Sequence, residues 1–96
     1  MPSPLPDITI QRELGSLPGW SRRGPALTKS YTFASFRAAI EMVRRIADVA
    51  EAADHHPDID IRANKLVFTL SSHDAGGVTQ KDIALAREIE RLTRGG

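Results

Sequence analysis

An α+β fold is predicted here: a two-layer sandwich, with an antiparallel sheet of about four strands carrying two main helices on one face. Three features of the sequence predict it. Two stretches, Phe33 to Ala50 and Leu85 to Leu92, step their apolar residues by three and four, the spacing of one helical face. Two short runs between them, around Ile59–Ile61 and Leu66–Leu70, alternate apolar with polar residues as half-buried strands do. Only Arg62, Ala63, Asn64 and Lys65 separate those runs, so a hairpin is the shortest connection and the sheet must be antiparallel there.

Residues 1–7 carry three prolines and are expected to be a disordered lead-in, leaving 8–96 as a single domain. Ile8-Thr9-Ile10 alternates like a strand, while Leu14 and Leu17 fit a helical turn before Pro18-Gly19, and both readings stay open. Trp20 follows that break and is expected in the core, where its indole N–H needs a partner. Leu27 to Phe33 reads as a strand with Leu27, Tyr31 and Phe33 on one side, although Lys29 falls on that same apolar side.

A helix then starts near Thr32 or Ser35, either of which can cap it, and buries the stripe Phe33, Phe36, Ile40, Val43, Ala47 and Ala50. In the hairpin, Asn64-Lys65 is expected to form the two-residue loop because Asn tolerates left-handed backbone. Ala63 then pairs with Leu66, His56 lies opposite His73 and His55 opposite Asp74. Gly76-Gly77 closes the second strand. Thr79 and Asp82 have the spacing of a capping box, Leu85, Ala86, Ile89 and Leu92 form the buried stripe of the last helix, and Arg91, Arg94 and Gly95 suit its end.

The 96 residues suffice for one domain burying roughly 60–70% of its unfolded surface. Thirteen Lys and Arg against twelve Asp and Glu leave a net charge of +1, so there is no global field for direct nucleic-acid binding. No apolar run can span a membrane. With no cysteine, disulfides, thiolate nucleophiles and Cys-based zinc sites are excluded, and a cytoplasmic, reducing setting is expected.

All three histidines fall in two polar clusters flanking the hairpin, Asp54-His55-His56-Pro57 and Ser72-His73-Asp74. Imidazole titrates nearest neutrality, so their convergence at the hairpin's open end suggests acid–base catalysis. Taken singly, His-Pro at a strand start and His-Asp at a strand end are ordinary turn chemistry. A zinc site is disfavoured, because adjacent His55 and His56 point apart on extended backbone and no His-x-x-x-His pair exists. A serine triad through Ser71 or Ser72 lacks a Gly-x-Ser-x-Gly elbow.

The joint pattern is more specific than its parts. Glu51-x-x-Asp54-His55-His56-Pro57, then Asn64, Phe68, Ser71-Ser72-His73-Asp74, Gly77-x-Thr79-x-x-Asp82 and Leu85-Ala86 closely resemble the pterin-4a-carbinolamine dehydratase family, over roughly residues 17–92. The resemblance implies dehydration of 4a-hydroxytetrahydropterin to quinonoid dihydropterin without a metal or organic cofactor. It implies His55 and His73 as the proton-transfer pair, His56 as a substrate contact and Asp82 as an orienting acid that also caps a helix. Glu51, Pro57, Ser72, Asp74 and Ala75 would complete the pterin-binding surface. It further implies a homodimer or homotetramer and service to an aromatic amino acid hydroxylase. The same fold can act instead as a non-catalytic interaction module, a transcription-factor dimerisation cofactor or an assembly factor. Two departures stand out: Ala63 replaces a common aromatic residue, and the region before Leu17 lacks the family's helical lead-in.

Overall fold

In the computed structural model, which describes residues 3–94, helix α1 (Asp7–Leu14) precedes strands β1 (Ser21–Arg23) and β2 (Ala26–Thr32). Helix α2 (Phe36–Ala53), strands β3 (Asp58–Arg62) and β4 (Lys65–Leu70) and helix α3 (Gln80–Arg94) follow. The strands form one antiparallel sheet in the order β1-β2-β4-β3. Leu27, Leu66, Phe68 and Leu70 are buried on the sheet face that meets Met42 and Ile46 of α2 and Ile83, Leu85 and Ile89 of α3. Both main helices therefore share one face, as the apolar periodicities require.

The N-terminal expectations need correction. Leu5 packs against the core and its N–H donates to the Val78 carbonyl at 2.8 Å, so residues 5–7 are tied down rather than forming a disordered lead-in. Residues 1 and 2 lie outside the described residues, as does Gly95. The ambiguous stretch is helical, with Asp7 in its first turn and Ile10 buried, so the helical lead-in expected to be missing is present. Strand β1, which sequence alone did not resolve, closes on β2 through a turn in which Gly24 has φ +57°.

Helix α2 begins at Ser35, whose hydroxyl accepts the Ala38 N–H at 3.0 Å, and it is rotated from the expected stripe. Its buried residues are Ala39, Met42, Ile46 and Ala50, while Phe36 and Ile40 remain 58% and 39% exposed. The helix carries two apolar stripes, and the one with smaller side chains lies against the sheet.

The hairpin register differs from the count by two residues. Arg62 pairs with Lys65 and Ile61 with Leu66, so Ala63-Asn64 is the loop. Ala63, not Asn64, takes the left-handed backbone, at φ +51°. Asn64 is instead committed to the neighbouring segment: its Nδ2 donates to the Phe33 carbonyl at 2.7 Å and its own carbonyl accepts the Phe33 N–H. A shift of two preserves which side chains face the core, because the strand period is two.

Lys29, the apparent flaw in β2, answers a buried acid on α3. Its Nζ lies 2.6 Å from Glu90 Oε2, which also accepts the Tyr31 hydroxyl and, at 3.3 Å, the Trp20 indole N–H. Arg94 reaches the other carboxylate oxygen. Burial pushes the Glu90 carboxyl up, but hydrogen bonds from Lys29 and Tyr31 and the Lys29 charge outweigh it and hold the group below its ordinary value. Burial and the facing carboxylate push the Tyr31 phenol up.

Candidate active site

Helix α2 stops at Asp54, whose left-handed backbone (φ 50°) lets its N–H reach back to the carbonyls of Ala50 and Glu51. Asp is among the few non-glycine residues that visit this conformation readily. The reversal releases His55 directly below the first turn of α3. There its Nε2 lies 2.6 Å from Oδ1 of Asp82.

Asp82 is fully buried, and its second oxygen accepts the Ser72 hydroxyl and the Thr79 N–H, both at 2.9 Å. The Thr79 bond is the backbone half of the capping box that the spacing anticipated. Ser72 is fixed by a two-way backbone bridge to Gly77, which folds residues 73–76 into a tight loop with Gly76 at φ +73°. The bridge buries Ser72 beneath α3 and turns His73 outward.

Counting on from the Asp58–Thr69 pair sets His56 opposite Ser71 and His55 opposite Ser72, rather than opposite His73 and Asp74. The three histidines nevertheless line one cleft of about 390 Å³, together with Ser72 and Asp74. His56 Nε2 pairs with the Glu51 carboxylate one turn back on α2. Glu51 and Pro57 line an adjoining groove of about 230 Å³ between α2 and β3, which His56 shares. Ala75 lies outside the lining of both, and its N–H is spent on the Ser72 carbonyl at 3.0 Å. Ser72 shows little surface and its hydroxyl proton is directed to Asp82, so the expected hydroxyl contact to a ligand is not available. Trp20 belongs to the core and the Glu90 cluster.

Sequence reasoning missed Lys81, which brings a cation to the cleft wall, and it named Asp54 and Ser71 in the motif without placing them in the lining, where they lie. A signal existed: a lysine in a first helical turn opposes the helix dipole and asks for another reason to be there. Among the described residues, no three His, Asp or Glu side chains converge as a metal-ligand set. A wider depression of about 540 Å³ lies near the far end of α3, beside Arg87, Arg91 and Arg94. Each of those arginines is bonded to a carboxylate, of Glu13, Glu88 or Glu90, so its charge is answered within the chain. The histidine cleft is the opening where titratable groups converge, and it can both deliver and remove protons around a planar polar ligand.

The family model described as Pterin 4 alpha carbinolamine dehydratase matches residues 3–92. Provisionally named pterin-4-alpha-carbinolamine dehydratases are similar: one from Thermomicrobium roseum at 50% identity, covering 92% of this chain and 95% of its own, and one from Mycobacteroides abscessus at 51%, covering 90% and 92%. Among solved structures, a transcriptional coactivator/pterin dehydratase from Brucella melitensis superimposes with a TM-score of 0.91 at 32% identity, covering 94% of this chain and 98% of that one. A pterin dehydratase-like RuBisCO assembly factor of the alpha-carboxysome shares the fold, with a TM-score of 0.63 at 20% identity over 76% and 84%.

Proposed function

We propose, from the premise that this chain belongs to the pterin-4a-carbinolamine dehydratase family, that it removes water from a 4a-hydroxytetrahydropterin at the three-histidine cleft. The product is quinonoid dihydropterin. Elimination breaks the C4a–O bond and the N5–H bond and forms the C4a=N5 double bond. One group must give the departing hydroxyl a proton and another must take the proton from N5. His55 and His73 are the proton-transfer pair of this reading, His56 a substrate contact braced by Glu51, and Asp82 the acid that orients His55. Asp74 borders the pterin in it, with Pro57 in the adjoining groove.

The observation that carries the reading is the His55–Asp82 pair at the cleft. A carboxylate with no surface of its own fixes one ring nitrogen and leaves the other for a reactant. The chain's own residues supply the acid–base groups the elimination needs, with no organic cofactor in the scheme.

The test is dehydration of freshly generated 4a-carbinolamine by the purified protein. Wild type is expected to accelerate it, and the His55→Ala/His73→Ala double variant to return it to the background rate while keeping its circular dichroism spectrum. A wild type with no acceleration overturns the reading. Supply of the substrate by an aromatic amino acid hydroxylase belongs to the same proposal, and the absence of cysteine supports a reducing compartment.

Self-association as a homodimer or homotetramer is supported by β3, which lies at a sheet edge, and by exposed Phe36, Ile40 and Ile61 nearby. The same apolar residues favour a second reading, a protein-interaction role through the outer face of α2. Partner binding that persists in the double variant would assign that role to the surface rather than the cleft.

A further inference from the structure

Proton bookkeeping around Asp82 determines more than its contacts alone. Each hydroxyl has one proton to give. Ser72 Oγ lies 2.9 Å from Asp82 Oδ2 and 2.7 Å from Thr79 Oγ1. If Ser72 spends its proton on the carboxylate, its oxygen must accept from Thr79, whose proton is then spent in turn. Thr79 Oγ1 accepts the Lys81 N–H at 3.2 Å, which completes its set.

Every bond in the series then runs one way, from the first turn of α3 through Thr79 and Ser72 to Asp82 Oδ2. The Thr79 N–H joins at the same oxygen. With Oδ2 taken up, Oδ1 is left to accept from His55, and His55 must carry its proton on Nε2 to make that bond. A carboxylate has no proton to give, so the series ends at Asp82 as an acceptor and does not run the other way.

We propose that Ser72 and Thr79 are positioning residues for His55. By occupying Oδ2 they keep Oδ1 of Asp82 aimed at Nε2, and that aim holds the imidazole in its Nε2–H tautomer and leaves Nδ1 as the nitrogen that takes the substrate's proton. This rests on the dehydratase reading of the cleft and deepens it, naming the atom as well as the residue. It also explains why Ser72 is buried though it borders the cleft: its hydroxyl serves the carboxylate. Neither Ser72 nor Thr79 touches the reacting atoms through its hydroxyl, so each acts through Asp82 and His55.

The test reads the tautomer directly. Two-bond ¹H–¹⁵N spectra of wild type, recorded through a pH series so that the neutral form is read from the spectra themselves, should show its His55 Nε2 protonated and Nδ1 bare. Ser72→Ala should populate the other tautomer and lower kcat by about tenfold, with KM changed less than about twofold. Ser72→Thr, which keeps the hydroxyl, should restore both readouts. Thr79→Val should show the same signs more weakly, and it carries the test if Ser72→Ala does not fold.

A wild-type His55 protonated on Nδ1 overturns the proposal without any variant. So does a folded Ser72→Ala protein with an unchanged tautomer and full kcat. Protein that shows the Nε2–H tautomer but no dehydration supports the hydrogen-bond series and overturns the dehydratase reading instead, so the two failures are distinguishable.

Discussion

Helix α3 buries two carboxylates, Asp82 in its first turn and Glu90 eight residues on, about 12 Å further along the axis. They face the same core and are treated very differently. Glu90 is answered by the side chains of Lys29 and Arg94, with Tyr31 and Trp20 adding neutral donors. Asp82 has two neutral donors and one imidazole. The charge on Glu90 is therefore met by cations within the chain, and the cluster acts as a clamp between α3, β2 and the loop at Trp20. The partner of Asp82 carries a proton that can leave, which suits it to chemistry. The identity of the partner, rather than burial, separates a stabilising carboxylate from one proposed to orient a reacting imidazole.

Asp82→Asn tests that contrast most severely. The amide can donate to His55 Nε2 and so favour the wrong tautomer, and kcat is expected to fall by about 10²–10⁴-fold while the protein stays folded. Dehydration kinetics and a thermal melt on the same sample check both halves, and a folded variant with full kcat would break the distinction between the two carboxylates.

Glu90→Gln should do the reverse. Removing one partner of a largely buried pair strands Lys29, so stability should fall by about 3 kcal/mol in urea unfolding, with kcat per folded molecule unchanged. The same cluster sets a pH window. Because Glu90 is held below its ordinary 4.5, its contribution is complete above that value and is lost as pH falls through the depressed one. Because Tyr31 is raised above its ordinary 10.0, stability should also decline as pH rises beyond that value. Melts across pH should show both limbs in wild type and a weakened acid limb in Glu90→Gln.

The smallest effect serves as a control remote from either carboxylate. Ala63→Gly relieves a left-handed alanine at some cost in chain entropy, for a net gain of about 0.5 kcal/mol. Kinetics should not change, and a changed kcat would mean the hairpin tip communicates with the cleft.

Much of the layout was legible in the sequence because it depends on period and residue type: two helices on one sheet face, the histidine convergence, the Thr79–Asp82 capping box. What escaped depended on contacts distant in the chain. Asn64 looked like the turn residue because its type tolerates positive φ, but its side chain is bound to Phe33 and the strain moved to Ala63. Helix α2 offered two apolar stripes, and hydropathy alone favours the bulky Phe36–Ile40 stripe over the one that fits against the sheet. Lys29 read as a flaw because its partner lies 61 residues away. Ser72 was legible as part of the site but not as buried, since that depends on the Gly77 bridge and on α3 covering it.

The beginning of the chain closes on its last helix. Trp20 meets Glu90 across 70 residues of sequence, and Glu13 meets Arg87 across 74. Contacts of such separation carry a large loop-closure cost. Asp82 rides on that same helix, so a growing polypeptide emerging from the ribosome holds all three imidazoles long before one of them is oriented. The proposed acid–base site is complete only once α3 has docked, and a nascent chain stalled short of α3 is a protein with its histidines in place and no Asp82 to aim one of them.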